Sequence, residues 1–230
     1  MRSALNYCDM IEKLQLTLYE MFGYLLPGAI ASAAVSILYW SLSLPNVAFP
    51  PYKFDPNVFG WSVIIALSYF FGHISQGIGN RFFRGVEEKT LGPKGSLSKV
   101  IVDIARRKAG HRVGTEPDDI DSSSLFRIAD EASVQVGADA DRDIFIYREG
   151  FYKGSAVAFS FLTIALIVRG LDGYAAIRLP DYSFYFSAWQ IFAAAVVSAA
   201  AANICRQRFY RFGAYRVSRA IYAFVVTSKN

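Results

Sequence analysis

The stretch that decides the fold is Val58-Phe59-Gly60-Trp61-Ser62-Val63-Ile64-Ile65-Ala66-Leu67-Ser68-Tyr69-Phe70-Phe71-Gly72-His73-Ile74-Ser75-Gln76-Gly77-Ile78-Gly79-Asn80. It contains no Asp, Glu, Lys or Arg, and His73 is its only other titratable side chain short of Tyr69. A helix rises about 1.5 Å per residue, so this run covers the roughly 30 Å of a bilayer's hydrocarbon core. Three more runs have that character: residues 21–42, 151–169 and 184–205, with Lys153 and Arg169 at the ends of the third. Backbone polar groups in lipid must be satisfied within the segment, so all four runs are expected to be helices. The predicted fold is all-α: an integral membrane protein with four transmembrane helices, helical cytosolic extensions and a small helical cytosolic layer.

The composition agrees. The chain has 230 residues, 53% hydrophobic and 19% charged, whereas a soluble domain carries about 25% charge. Disordered, collagenous and disulfide-scaffold classes are excluded. Cys8 and Cys205 read as small apolar fillers. The segment before residue 21 carries Asp9, Glu12 and Glu20 beside Arg2 and Lys13. A secretory leader should begin short and positive, so the first span is read as retained.

Lys and Arg set the orientation. Placing the termini and the segment between the second and third spans on one side puts 21 of the 24 basic residues there, leaving Lys53, Arg169 and Arg178 opposite. Both termini and the central segment are therefore expected in the cytosol of a bacterial cell, with the spans in its cytoplasmic (inner) membrane. Residues 1–20 form a predicted amphipathic interfacial helix, with Leu5, Cys8, Ile11 and Leu18 near one face.

The central segment, 81–150, reads as folded. The breaker cluster Gly92-Pro93-Lys94-Gly95 precedes Ser96, a candidate N-cap. Leu97, Val100, Ile101 and Ile104 then recur at helical spacing, with Gly110 as the stop. A second short helix carries Leu125, Ala129, Ala132 and Val136 on one face and ends at Gly137. From Asp139 a helical pattern runs into the third span. Such short helices bury little alone, so they are expected to pack on extensions of the spans or on neighbouring subunits. Residues 206–230 form a basic cytosolic tail.

Chemistry is sparse. Only His73 and His111 are present, and no CxxC or HExxH pattern occurs. Gly77-Ile78-Gly79-Asn80-Arg81-Phe82 fails as a dinucleotide fingerprint and Gly92-Pro93-Lys94-Gly95-Ser96 fails as a phosphate loop. Asp139-Ala140-Asp141-Arg142-Asp143 opens like an EF-hand, but Ile144 replaces the required Gly and Gly150 the required Glu. No metal, cofactor or catalytic residue is expected. An enzyme acting on lipid headgroups would have to use Arg84, Glu87 and Glu88, which read better as a solvated helix face.

The informative pattern is small and polar residues within the spans. Ser68, Gly72, Gln76 and Asn80 recur every four residues, with His73 alongside. Gly150, Gly154 and Ala158 start the third span, and Ala194, Ser198 and Ala202 mark the fourth. Lipid supplies no hydrophobic force between helices, so small residues that permit close approach mark packing faces. The third- and fourth-span sets are taken as helix packing. Ser68, Gly72, His73, Gln76 and Asn80 are pore-lining candidates, since four spans enclose a conduit only when symmetry supplies further walls. The absence of charge deep in any span argues against proton coupling and voltage sensing. Two basic clusters, Arg106-Arg107-Lys108 and Arg206, Arg208 and Arg211, are candidates for lipid or ligand phosphate.

Phe22-Gly23-Tyr24-Leu25-Leu26-Pro27-Gly28 opens the first span, Arg81-Phe82-Phe83-Arg84 and Gly92-Pro93 follow the second, and Tyr147-Arg148-Glu149-Gly150-Phe151-Tyr152 precedes the third. With the Arg/Tyr-rich stretch after the fourth, this pattern resembles the small four-span bacterial membrane effectors of anti-phage defence, such as that of the Hailong system. The resemblance implies a homo-oligomeric channel, a tetramer, whose opening depolarises an infected cell. It also implies control by an oligonucleotide-like product of a partner nucleotidyltransferase. No family residue can be placed on this chain one by one. The rival expectation is a non-conducting scaffold that docks a soluble partner through the central segment.

Overall fold

The computed structural model describes residues 21–39, 41, 58–135, 137, 142–171, 176–179, 182–185 and 187–227. The predicted interfacial helix 1–20, Cys8 and Val136 lie outside these. The elements in chain order are α1 (Met21–Tyr39), α2 (Val58–Phe82), α3 (Val86–Leu91), α4 (Lys99–Val113), a 3₁₀ turn (Pro117–Asp119), α5 (Ser122–Gln135), α6 (Arg142–Leu171), β1 (Ala176–Leu179), β2 (Tyr182–Tyr185) and α7 (Ala188–Thr227).

Four helices are long and apolar enough to cross a membrane: Met21–Tyr39, Val58–Phe82, Ile144–Leu171 and Ala188–Val226. Among the described residues the fold is helical but for a two-stranded antiparallel ribbon, in which Ala176 pairs with Tyr185 and Leu179 with Tyr182. That ribbon moves the start of the fourth helix from 184 to Ala188. Gln190 Oε1 accepts from the Ser187 backbone N–H at 2.8 Å and from its hydroxyl at 2.9 Å, one arm of a capping box. At the other end α7 runs on to Thr227, through the predicted tail, as one 40-residue helix.

The chain divides into two compact units, residues 1–82 with 150–206 and residues 83–149 with 207–230. In the first, Leu166, Ile191 and Ala195 form a buried cluster, joined by Ile37 and Leu162. Hydroxyls within the helices bond backward: Ser62 to the Val58 carbonyl, Ser160 to Ala156 and Thr163 to Phe159, each at 2.8 Å. An apolar span thereby carries Ser and Thr without leaving a polar atom to lipid. Only 17% of the most apolar window of α2 is buried, and Phe59, Ile65, Leu67, Phe70 and Ile74 are exposed. Such a surface needs lipid or another chain against it.

In the second unit, Leu91, Val102, Ala105, Ala109, Leu125, Phe126, Ala129 and Ala132 are buried with Phe209, Val217, Ile221 and Phe224 from the far part of α7. The short helices therefore share a core with an extension of a span helix. Gly213 makes room for Val86, whose Cγ1 would lie 2.6 Å from an added Cβ.

The expected inner face of α4 is corrected. Val100 is 66% exposed and Ile104 42%, while Val102, Ala105 and Ala109 are buried. The helix begins after Ser98 because the Ser96 and Leu97 N–H groups are already engaged by the Lys89 and Thr90 carbonyls, at 3.2 and 3.1 Å. It stops at Gly114, which holds φ 74°, a conformation that favours glycine. Gly110 lies inside the helix instead, where an added Cβ would come within 2.6 Å of the Thr115 carbonyl oxygen.

Candidate functional site

In α2, one of the four long apolar helices, polar side chains are interspersed among the apolar ones. At about 100° per residue, its buried residues Ser68, Gly72, Ser75 and Gly79 fall within about 60° of arc. That arc is a packing face. An added Cβ on Gly28 would collide with the Ser68 carbonyl and lie 2.7 Å from the Gly72 nitrogen, and one on Gly72 would collide with the Tyr24 carbonyl. Two backbones meet where only glycine fits.

Gln76 sits at the edge of this arc. Its Nε2 donates to the Gly23 carbonyl at 3.3 Å. Its Cγ would lie 3.2 Å from a Cβ on Gly154, and its Nε2 3.5 Å from one on Gly150. Lys153 Nζ donates to Asn80 Oδ1 at 2.6 Å, and the lysine stem covers Gly79, where an added Cβ would fall 2.6 Å from Lys153 Cγ. His73 stacks on Tyr24, ring centroids 4.0 Å apart, and meets Tyr69 edge-on at 4.6 Å.

Of the five pore-lining candidates, Ser68 and Gly72 are thus taken up by α1, and Gln76 is shared between α1 and α6. His73 and Asn80 are exposed. The reason is helical drift. Steps of four residues advance about 40° beyond a full turn, so a stripe read every four residues winds off the contact face. His73 and Asn80 then join Ala66, Tyr69 and Gly77 in a second arc, about 80° wide, all exposed. Nothing lies within 4 Å of where a Gly77 Cβ would be.

The same drift corrects the fourth helix. Ala194 is exposed, whereas Ile191, Ala195, Ser198 and Ala202 are buried. Ser198 Oγ donates to the Phe159 carbonyl at 2.9 Å, closing α7 on α6 beside buried Ala158.

The basic clusters do not behave as sets. Lys108 Nζ donates to the Phe224 and Val225 carbonyls at 2.7 and 3.0 Å, among the last acceptors of α7 that no further turn can satisfy. Desolvation lowers its pKa. Arg211 Nε donates to Tyr215 Oη at 3.1 Å, and Arg206 Nη2 to Asn203 Oδ1 at 3.3 Å. Arg206, Arg208 and Arg211 are all exposed, Arg208 and Arg211 about 60° apart around α7. Arg106 and Arg107 line a cavity of about 810 Å³ in the second unit.

Sequence reasoning passed over Arg216. Its Nε donates to Glu149 Oε2 at 2.9 Å, a terminal nitrogen lies 4.0 Å from Glu87, and the guanidinium stands 4.7 Å from the centroid of the Phe126 ring. Four elements, α3, α5, α6 and α7, meet at one side chain. Its position one turn before buried Ala220, on the face of Phe209, Val217 and Ile221, was the available signal.

Among the described residues no group of three or more His, Cys, Asp and Glu could hold a metal ion. No protein-family model, curated protein or solved structure matches the chain.

Proposed function

We propose that the chain is a non-enzymatic subunit of a homo-oligomeric channel in the bacterial cytoplasmic membrane, with its termini and central segment in the cytosol. The supporting observation is the second arc of α2. In a helix otherwise sheathed in Phe, Ile, Leu and Val, Ala66, Tyr69, His73, Gly77 and Asn80 form an exposed face of small and polar side chains, with Phe59 on the same line at the start of the helix. An exposed imidazole in the middle of an apolar helix suits a shared aqueous axis better than lipid, and Asn80, held by Lys153, lies on the same face. Symmetry-related copies of α2 would line the conduit, with Gly77 at its narrowest approach. The signal class, an oligonucleotide-like nucleotidyltransferase product, and the setting, depolarisation of an infected cell, rest on the resemblance alone.

The test uses Gly77→Cys in a Cys8→Ser/Cys205→Ser background, reconstituted in liposomes under conditions that open the channel. A charged methanethiosulfonate reagent should block ion flux. Open space around Gly77 lets the variant fold normally, so undiminished flux after complete labelling removes α2 from the conduit. The scaffold reading draws on Val100 and Ile104, two exposed apolar residues on one face of α4. It expects no flux under any condition and loss of partner docking in Val100→Asp/Ile104→Asp.

A further inference from the structure

The second unit contains a cavity of about 810 Å³ between the loop after α3 and the turn after α4. Its volume lies within the range of sites for single small molecules, roughly 300–1,000 Å³. Both walls are fixed by backbone bonds. The loop is closed by Gly92 N–H to the Glu88 carbonyl at 2.8 Å, Gly95 N–H to Gly92 at 2.8 Å and Leu97 N–H to Thr90 at 3.1 Å. Gly114 and Thr115 both donate to the Gly110 carbonyl, at 2.8 and 3.1 Å, and turn the chain back along α4.

Six charged side chains line the space: Lys99, Arg106 and Arg107 against Asp103, Glu116 and Asp118. Among the described residues none of the six makes a side-chain hydrogen bond or ion pair, although acids and bases share one cavity. Asp103 and Arg106, one turn apart on α4, are half-buried, and the other four are exposed at the rim. Arg106 Nε is shielded from solvent and has no hydrogen-bond partner. Arg106 as a whole is half-buried, so its guanidinium keeps an accessible end with no protein acceptor among the described residues, and such a group binds an anion better than a free surface arginine does. Leu91, Pro93 and Val102 add an apolar wall.

We propose that this cavity binds a small phosphate ester that also carries an amine or another strong hydrogen-bond donor. The phosphate meets Arg106, with Lys99 and Arg107 closing over it, and the donor group meets Asp103 and the carboxylates of the opposite rim. A plain anion would leave three carboxylates facing its charge, and a plain cation would leave three bases. The proposal deepens the reading in which the cytosolic segment senses a phosphate-bearing signal, and it assigns the site to Arg106 and Arg107 without Lys108, which is engaged at the end of α7.

O-Phosphoethanolamine is the smallest probe carrying both groups. Titration calorimetry of the detergent-solubilised full chain should show saturable binding, about tenfold or more tighter than inorganic phosphate. Arg106→Gln should weaken it by about ten- to a hundredfold. Asp103→Asn should bring it down to the affinity of inorganic phosphate and leave the latter unchanged. Lys99→Gln/Arg107→Gln, at exposed positions, gives a weakened site without risk to folding. Dihexanoyl phosphatidylethanolamine against dihexanoyl phosphatidylcholine separates the sources: preference for the former over the soluble ester makes the ligand a lipid headgroup, and the reverse makes it a free metabolite. Equal affinity for O-phosphoethanolamine and inorganic phosphate, undiminished binding by Arg106→Gln, or no saturable binding of any probe overturns the proposal. Ion flux is not part of this readout, so a failed conduit leaves the site standing and a failed site leaves the conduit standing.

Discussion

Replacing Arg216 with Met tests how the second unit is held together. The guanidinium and the Glu149 carboxylate are 2.9 Å apart, with side chains only 15% and 13% exposed. At an effective dielectric near 20 their gross attraction is about 5–6 kcal/mol, most of it offset by the desolvation of both groups. The larger cost of Arg216→Met comes from what it leaves behind. Glu149 remains in a mostly buried position and loses the ion pair it has among the described residues, which costs about 2–3 kcal/mol. Loss of the guanidinium over the Phe126 ring adds about 0.5–1 kcal/mol. The expected total is about 3 kcal/mol, roughly a 150-fold change in the opening equilibrium of the unit.

Tryptophan fluorescence cannot report it, because Trp40, Trp61 and Trp189 all lie outside this unit. Amide hydrogen exchange of peptides from α5 and the end of α7, in the detergent-solubilised chain, gives the local opening free energy directly. A double-mutant cycle with Glu149→Gln should yield a coupling of about 1.5–3 kcal/mol. The bidentate Arg142–Asp130 pair is the internal control. Its shortest contact is 2.8 Å, but Arg142 is 35% exposed, so water screens it and its coupling should stay at or below about 1 kcal/mol. A coupling for Arg216–Glu149 under about 0.5 kcal/mol, or no larger than the control, refutes the assignment of Arg216 as the central tie.

Gly72→Val should lower the thermal midpoint of the solubilised chain, by about 1–3 kcal/mol of overpacking against the α1 backbone, whereas Gly77→Val on the open side of the same helix should leave it unchanged. Lys108→Met strips the Phe224 and Val225 carbonyls of their donor and should speed exchange in the last turns of α7 by about five- to thirtyfold, with α5 little affected. Asp121 accepts from the Ser124 N–H at 2.6 Å and the Ser123 hydroxyl at 3.0 Å, and these bonds hold its pKa below the ordinary carboxylate value. Its contribution to the start of α5 is therefore complete above the unfolded pKa, about 3.9, and is lost as pH falls through the lower folded value. Protection of the first turn of α5 should decline on acidification below pH 4 in the wild type, and Asp121→Asn should remove that pH dependence.

The four long helices were legible because length and polarity alone define them: an uninterrupted apolar run of about 20 residues satisfies its own backbone without water as a helix. What blurred was every boundary where a local bond competes with hydropathy. Phe184 and Tyr185 look like the start of a span but pair in a ribbon with Ile177 and Ala176, while Ser187 with Gln190 starts the helix three residues later. The pattern Ile177-Arg178-Leu179 and Tyr182-Ser183-Phe184 around Pro180-Asp181 did carry a hairpin signal, hidden by the apolar run it joins. In α4 the apolar spacing of Leu97, Val100 and Ile104 competes with a smaller set, Val102, Ala105 and Ala109. The smaller set is buried because close packing against α5 and the turn after Gly114 rewards small side chains over large ones.

The site was half legible for a related reason. Composition marks which residues of a span are unlike lipid, but only geometry divides them between packing and solvent. Ser68, Gly72, Gln76 and Asn80 look like one stripe, yet the first pair anchors α1, the third bridges α1 and α6, and the last lies on the arc with His73 and Gly77. Read at 3.6 residues per turn instead of four, the sequence separates into the two arcs without a structure, because Ser68, Gly72, Ser75 and Gly79 and then Ala66, Tyr69, His73, Gly77 and Asn80 follow steps of three and four. This division constrains any assembly. The first arc is already occupied within the chain, so an aqueous axis of the kind proposed would use the second, while the exposed apolar flank of Leu67, Phe70 and Ile74 is left for lipid or a neighbouring copy. A leucine at Gly77, which touches nothing in its own subunit, should then alter flux or oligomeric state while leaving the fold of the subunit intact. Unchanged flux and unchanged assembly together would mean that this face meets only lipid.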